Sequence, residues 1–131
     1  MNEKMSAATN LLNWFELPMV VVDRAKNFYE SVFSIELQPM EMNGEPMLFF
    51  PNDPASGRVG GSLVKSEHHK PGFQGAIVYL NANPAISDII SKIEQNGGTI
   101  LMPATQVSPE IGYIALFMDS EGNKVGLHAN G

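Results

Sequence analysis

Four side chains of types that bind small ligands lie on strand-like segments of this chain. Each falls in the polar or bulky half of a period-two pattern, so each is expected on the face opposite the apolar residues of its strand. Together they supply an aromatic wall, one acid and two hydrogen-bonding groups, the mixed lining that small-molecule pockets show. The predicted ligand-binding residues are Trp14, Glu16, Tyr79 and His128.

The orientation of the acid and the imidazole follows from their apolar neighbours. These neighbours are Phe15 and Leu17 in the first strand, and Val125 and Leu127 in the last. If the apolar residues pack against helices, Glu16 and His128 point to the other face. Glu16 is then hydrated, paired with Lys124 or His128, or protonated, because burying an unpaired carboxylate costs several kcal/mol.

The aromatic residues and the paired histidines leave alternatives open. Trp14, the only tryptophan, either fills space or forms a stacking wall for a flat or cationic ligand. The Tyr79 phenol either hydrogen-bonds a ligand or fills the cleft with its hydroxyl at the mouth. His68 and His69 point to opposite sides of an extended chain, so we expect them in a solvated loop rather than as joint metal ligands.

Two amphipathic helices are predicted to cover the strands. The first begins at Asp23 as its cap, and the second has Asn83 at the cap and Pro84 as its first residue. Their apolar stripes are Ala25, Phe28, Tyr29, Val32 and Phe33 in the first, and Ile86, Ile89, Ile90 and Ile93 in the second. Both stripes follow the 3.6-residue period, so each helix has one buried side that needs a sheet.

The chain reads as the same unit written twice: a strand, a helix and three further strand-like runs. In the first unit, Asn43-Gly44 predicts a hairpin, and in the second the segment 119–123 predicts a tight turn with Gly122 at positive φ. The strands predicted in the second unit are Ala76–Leu80, Thr99–Met102, Gly112–Met118 and Lys124–His128. A repeat of this kind places a ligand in the cleft between its units.

Three segments together resemble one superfamily. They are Arg24-Ala25-x-x-Phe28-Tyr29, Gln95-Asn96-Gly97-Gly98 and the run from Asp119 to His128. Over residues 13–130 the chain is similar to the glyoxalase, bleomycin resistance and extradiol dioxygenase proteins, the vicinal oxygen chelate superfamily. The resemblance implies an α+β fold with two βαβββ modules forming a cup-shaped eight-stranded mixed sheet and helices outside. We expect a tail at 1–12, then one domain at 13–130 with module one at 13–66 and module two at 75–129.

Enzymes of this superfamily hold a divalent metal with His and Glu side chains at four inward-facing strand positions. The resemblance places these positions at Trp14, Ser62, Gly75 and Gly126. None of the four is His or Glu, so the usual metal site is expected to be absent and no cofactor is predicted. Glu16 and His128 lie two residues beyond lost positions, but two protein ligands make a weak site.

Composition narrows the classes of partner. Eight basic and 14 acidic residues give a net charge of −6, which argues against nucleic acid and favours a neutral or cationic small molecule. The absence of cysteine excludes a disulfide, a thiolate zinc site and a cysteine nucleophile. The first ten residues contain no apolar run long enough for a signal or membrane segment, so we expect a cytoplasmic protein without a membrane partner.

The sequence therefore predicts a glyoxalase/bleomycin resistance type of protein that binds a small molecule in the cup without the usual metal. We expect a homodimer, because a second copy can cover open strand edges. The alternative is a metal-dependent lyase, isomerase or dioxygenase-like enzyme that acts on a small oxygen-rich metabolite through displaced ligands. Whether the protein is an enzyme is left open between these two interpretations.

Overall fold

The computed structural model describes residues 3–131, which form eight strands and two α-helices. The first half contains β1 (Trp14–Pro18), α1 (Val22–Phe33), β2 (Gln38–Met42), β3 (Glu45–Phe49) and β4 (Gly60–Val64). The second half contains β5 (Tyr79–Asn81), α2 (Ile86–Ile93), β6 (Thr99–Ser108), β7 (Gly112–Met118) and β8 (Lys124–Ala129). Each half is a βαβββ unit, so the predicted α+β class is confirmed. Neither helix is long and apolar enough to cross a membrane within the described residues.

The eight strands form two four-stranded mixed sheets. Their orders are β1-β4-β3-β2 and β5-β8-β7-β6, and the parallel pairs are β1 with β4 and β5 with β8. The described residues form no strand pairing between the two sheets. Strands β1 and β5 are therefore both outer strands, each with one unpaired edge, and the cup shape stays a prediction.

Both helices bury most of the stripes predicted for them, and the remaining stripe residues, Phe33 and Ile90, are partly buried. In α1 the buried residues are Ala25, Phe28, Tyr29 and Val32, and in α2 they are Ile86, Ile89 and Ile93. They share one core with alternate strand residues such as Leu17, Val125 and Leu127. The opposite side of each sheet, which we call the open face, carries the other set of side chains, including Glu16 and His128.

Two predicted turns are confirmed by their backbone angles. Asn43 (φ 54°) and Gly44 (φ 80°) join β2 to β3 as a two-residue hairpin loop. Both φ values are positive, as a type I′ turn requires, which explains the Asn-Gly pair. Gly122 (φ 102°) occupies the turn between β7 and β8.

The predicted helix caps are wrong. The N-cap of α1 is Val21 rather than Asp23, and Val21 makes no side-chain cap hydrogen bond. Helix α2 begins at Ile86, after a cis peptide bond between Asn83 and Pro84. The Asn83 side chain instead accepts a hydrogen bond from the backbone N–H of Asn130, so it serves the C-terminal segment.

The second unit also departs from the predicted strand bounds. Strand β5 spans Tyr79–Asn81 instead of Ala76–Leu80, so Gly75 (φ 95°) lies in the preceding connection and not at a strand position. Strand β6 continues to Ser108 instead of ending at Met102. Pro103 has no N–H to donate to a neighbouring strand. It lies where the pairing of β6 with β7 shifts register, at a bulge that leaves residues without a ladder partner.

Candidate functional site

A cavity of about 1050 Å³ lies between the two sheets, along the outer strands β1 and β5. It is lined by Leu12 and the start of β1 on one side, and by the consecutive residues 76–81 on the other. Trp14, Glu16 and Tyr79 line this cavity, whereas His128 is not among its described lining residues. Three of the four predicted ligand-binding residues therefore meet at one place.

The lining of the cavity is mostly aromatic and aliphatic. Phe15, Phe33, Phe50 and Ile89 contribute apolar surface. Glu16 is the single charged residue among the described lining residues. A few polar groups in an apolar concavity are typical of small-molecule sites, and a lone carboxylate disfavours an anionic ligand.

Trp14 presents an aromatic surface that neighbouring residues hold in place. Its indole lies 5.2 Å from the Phe49 ring, centroid to centroid, at an interplanar angle of 60°. A Cβ added at Gly60 would lie 3.1 Å from the indole, so the ring extends over that glycine. The residue remains 37% exposed, which leaves aromatic area free for stacking.

Tyr79 lies flat on a glycine of the neighbouring strand. The register pairs Tyr79 with Gly126, and a Cβ added at Gly126 would lie 2.5 Å from Cδ2 of the tyrosine ring. Any larger residue at position 126 would displace the ring. Tyr79 is 47% exposed, and its hydroxyl makes no hydrogen bond within residues 3–131.

Glu16 is paired with His69, for which the sequence predicts a solvated loop. The Glu16 Oε1 atom lies 2.7 Å from His69 Nε2, and His69 Nδ1 lies 2.6 Å from Ser66 Oγ. His69 lies in the predicted loop, but its side chain is only 26% exposed and is hydrogen-bonded at both ring nitrogens rather than solvated. The partner of Glu16 is thus neither Lys124 nor His128.

His128 lies on the open face of β8, and its imidazole is hydrogen-bonded away from the cavity. Its Nε2 atom lies 2.6 Å from the backbone carbonyl of Ile111, so the imidazole N–H donates to the connection between β6 and β7. Within the second sheet its register partner is Asn81. The structure therefore does not bring His128 to the Glu16 carboxylate.

A smaller cavity of about 450 Å³ adjoins the first one. Glu16, Ala76 and Val78 line both cavities, so Glu16 lies where they meet. The smaller cavity also has Lys70 and Lys124 in its lining. Positive charge therefore lies on one side of Glu16, and uncharged surface on the other.

The residues present do not fit the divalent metal of the superfamily. On the positions that the resemblance assigns, Trp14 and Gly126 offer no ligand atom, and Gly75 lies outside the strands. In the described part of the chain, no three His, Asp or Glu side chains are close enough to hold an ion together. A closed protein site needs about four such ligands.

Ser62, the remaining position, has an unusual environment. It lies between Glu16 and Phe49 in the strand register, and it is fully buried. Its Oγ is the one buried side-chain polar atom among the described residues without a hydrogen-bond partner. A buried hydroxyl in this state costs free energy, because it gave up its hydrogen bonds to water.

A buried polar cluster joins the two halves of the chain beside the site. Glu121 Oε1 accepts hydrogen bonds from the backbone N–H groups of Val20 and Val21, at 2.7 and 2.8 Å, and its Oε2 accepts one from Arg24 Nε at 2.8 Å. Glu121 therefore performs at the start of α1 the role that Asp23 was predicted to perform. It holds the end of β1 against the turn between β7 and β8.

The same turn supplies a second buried carboxylate. Asp119 accepts hydrogen bonds from the Tyr29 hydroxyl at 2.6 Å and from the Asn123 amide at 2.9 Å. Asn123 Nδ2 also lies 2.7 Å from the carbonyl oxygen of Pro18, the last residue of β1. Sequence spacing gave no signal for this cluster, because its members lie about a hundred residues apart.

Burial and hydrogen bonding act in opposite directions on Glu121. Burial disfavours the ionised carboxylate, but the hydrogen bonds from Arg24 and from the N–H groups of Val21 and Val20 prevail, so the pKa of Glu121 is lowered from 4.5. For Tyr29, burial and then the neighbouring Asp119 charge raise the pKa well above its ordinary value. The cluster thus contains an ionised acid and a neutral phenol.

Comparison by sequence gives no relative: no model of a protein family matches the chain, and neither does any curated protein. Comparison by structure gives many. A glyoxalase/bleomycin resistance protein from Albidiferax ferrireducens superposes with a TM-score of 0.69 at 16% identity, covering 93% of this chain and 100% of that one.

Two further solved structures belong to resistance and binding proteins. TnmS3, an antibiotic binding protein from Streptomyces, has a TM-score of 0.65 at 19% identity, covering 96% of this chain and 100% of its own. A fosfomycin resistance protein from Listeria monocytogenes, solved with manganese(II) and dihydroxypropylphosphonic acid, has a TM-score of 0.64 at 14% identity, covering 97% and 94%. The chain therefore shares its fold with a glyoxalase/bleomycin resistance protein, an antibiotic binding protein and a fosfomycin resistance protein.

Proposed function

We propose that this protein binds a small neutral or cationic molecule with a flat apolar body in the cavity between β1 and β5. The observation that carries the proposal is the lining: Trp14 and Tyr79 are both exposed to this apolar cavity, and Glu16 is the one charge among its described residues. A volume of about 1050 Å³ accommodates a drug-sized molecule.

Each of the three residues has a distinct role in this proposal. Trp14, held by Phe49, stacks on the flat part of the ligand. The unbonded hydroxyl of Tyr79 donates to or accepts from a polar group, and Glu16 attracts a positive charge. His128 has no part in this site, because its imidazole is bonded to Ile111 and lies outside the described lining.

The charge of the chain and one structural neighbour support this class of function. The net charge of −6 disfavours anionic partners such as nucleic acid. TnmS3, which has the same fold, is an antibiotic binding protein. The proposal is completed by a cytoplasmic homodimer that sequesters the small molecule.

We propose further that binding needs no divalent metal. The alternative is a metal-dependent lyase, isomerase or dioxygenase-like enzyme that uses displaced ligands such as Glu16. Elemental analysis of protein expressed with added manganese, iron, nickel and zinc distinguishes the two. About one tightly held ion per chain, lost in Glu16→Gln, would replace the proposed function with the metal-dependent one.

A thermal-shift screen of planar neutral and cationic compounds, followed by titration of Trp14 fluorescence, tests the binding. Trp14 is the only tryptophan, so a saturable change in its emission reports on this cavity. Tyr79→Phe should weaken the binding of compounds that carry a polar group. Tyr113→Phe, which alters a ring packed on the core, should leave their binding unchanged. Absence of any saturable binder would reject the proposed function.

A further inference from the structure

We propose that Ser66 and His69 position the Glu16 carboxylate as a fixed anchor for an amine or amidine group of the ligand. In this arrangement His69 holds Oε1, and Oε2 is left for the ligand cation. The inference rests on the proposed function, and it adds two residues outside the cavity lining together with a ligand chemistry. Its basis is a chain of hydrogen bonds that leads from a loop to the cavity.

A tight turn holds the two positioning residues together. The backbone N–H of His69 lies 3.2 Å from the carbonyl oxygen of Ser66, and these two residues form an isolated antiparallel bridge. The backbone N–H of His68 also donates to Ser66 Oγ at 3.1 Å. The turn follows β4, whose last residue, Val64, pairs with Pro18 at the end of β1, and the His69 side chain of this turn contacts Glu16.

The direction of each hydrogen bond can be assigned from the donors and acceptors. An ionised carboxylate only accepts, so His69 Nε2 carries the proton that reaches Glu16 Oε1. In the neutral imidazole Nδ1 is then an acceptor, and the Ser66 hydroxyl donates to it. Because Ser66 Oγ itself accepts from His68, every hydrogen bond of the chain points towards Glu16.

The arrangement leaves one carboxylate oxygen available. Glu16 Oε2 makes no hydrogen bond to any described residue, and the side chain is 42% exposed. A free glutamate on an outer strand would sample several rotamers, and immobilising one on binding costs free energy. The bond to His69 removes part of that cost before the ligand arrives.

The surroundings favour a ligand cation that approaches from the larger cavity. On the side of the smaller cavity, Lys70 and Lys124 repel positive charge. On the other side, Glu16 is the one charged residue among the described lining, so an ammonium or amidinium group finds no competing side-chain cation. Trp14 is also in this lining and attracts a cation to its face.

The experiment compares two probes of equal shape, 2-naphthamidine, which is cationic, and 2-naphthamide, which is neutral. Calorimetry should show that the wild-type protein binds the amidine about tenfold more tightly, as expected for one charge-assisted hydrogen bond. Glu16→Gln should remove this preference by weakening amidine binding more than amide binding. Equal affinity of the wild-type protein for the two probes would overturn the anchor but leave the proposed function intact.

Two substitutions of His69 separate positioning from a merely structural role. The amide nitrogen of Gln occupies the place of Nε2, so His69→Gln keeps the bond to Glu16 and should keep the amidine preference within about twofold. The side-chain amide of Asn reaches only the place of Nδ1. His69→Asn therefore keeps the hydrogen bond to Ser66, loses the one to Glu16, and should lose the preference for the amidine. Equal preferences in the two variants would overturn the positioning role.

NMR of the wild-type protein labelled with nitrogen-15 at histidine reports the tautomer of His69 directly, so this test does not depend on the folding of any variant. His69 should show a protonated Nε2 and an unprotonated Nδ1, and the opposite tautomer would contradict the assigned chain. If neither probe binds the wild-type protein at millimolar concentration, the proposed function fails and the anchor fails with it. Naphthamide binding in each variant confirms that its cavity is intact.

Discussion

The Tyr29 hydroxyl donates a 2.6 Å hydrogen bond to Oδ2 of Asp119, which joins the middle of α1 to the turn between β7 and β8. Both residues are fully buried. The Tyr29 side chain therefore connects the apolar core to the polar turn that contains Asp119 and Glu121. This contact lies next to the end of β1, so it also helps to place the strand that carries Trp14 and Glu16.

Tyr29→Phe should lower the free energy of unfolding by about 1 to 3 kcal/mol, because the buried Asp119 carboxylate loses a donor. Urea denaturation followed by circular dichroism measures the change. Tyr113→Phe is the matched control and should change the value by less than about 0.5 kcal/mol. A Tyr29→Phe variant as stable as the wild type would show that Asp119 finds another donor.

Glu121→Gln should destabilise the protein in a pH-dependent way. The folded pKa of Glu121 lies below 4.5, so its ionisation contributes stability that is present above about pH 4.5 and is lost as pH falls through the folded pKa. The variant should be about 1 to 3 kcal/mol less stable near neutral pH, and the difference should narrow in acid. Glu67→Gln, on an exposed loop, is the control, and a constant difference at all pH values would contradict the assignment.

Gly126→Ala should weaken ligand binding by roughly threefold to tenfold, because the new methyl group displaces the Tyr79 ring from the cavity wall. Titration of Trp14 fluorescence measures the effect. Gly72→Ala adds the same methyl group where no atom lies within 4 Å, and it should bind as the wild type does. Equal affinities for both variants would mean that the position of Tyr79 does not matter to the ligand.

Ser62→Ala should leave the free energy of unfolding unchanged or raise it by up to about 1 kcal/mol, because it removes a buried hydroxyl that has no partner. Thermal and urea denaturation measure it. Ser66→Ala, which breaks a hydrogen bond to His69, should instead be destabilising. A clear loss of stability in Ser62→Ala would reveal that its hydroxyl is bonded to a water molecule in solution.

The protein should sediment as a homodimer at micromolar concentration, with about twice the monomer mass of 14.3 kDa. The outer strands β1, β2, β5 and β6 each leave an edge that a second copy can cover. Analytical ultracentrifugation over a hundredfold range of concentration decides the question. A single species near 14.3 kDa throughout would exclude the dimer.

Helix stripes and strand faces could be predicted because they depend on local periods of 3.6 and two residues. The stripe from Ala25 to Val32 is buried. Leu17, Val125 and Leu127 lie in the core, as the alternation of their strands predicts. The helix cap was predicted wrongly at Asp23, because the group that serves α1 is Glu121, about a hundred residues later. The periodicity of a segment carries no information about a hydrogen-bond partner so far away in the sequence.

His69 was missed for a related reason. Its ring nitrogens are satisfied by Ser66, three residues away, and by Glu16, 53 residues away in the parallel neighbour of the preceding strand. The signal available in the sequence was the need of Glu16 for a donor. The loop that follows β4 supplies this donor, because β4 ends beside Pro18 of β1.

The placement of the cavity at two unpaired strand edges has a consequence for how the size of the cavity can change. No backbone hydrogen bonds cross between β1 and β5 in the described residues, so the gap between them is set by how α1 contacts α2 and by the Glu121 and Asp119 cluster. Changes in side-chain volume at the α1–α2 contact would widen or narrow the cavity while every lining residue stays the same. The size of the cavity can thus be tuned, by natural or laboratory selection, from positions outside its lining.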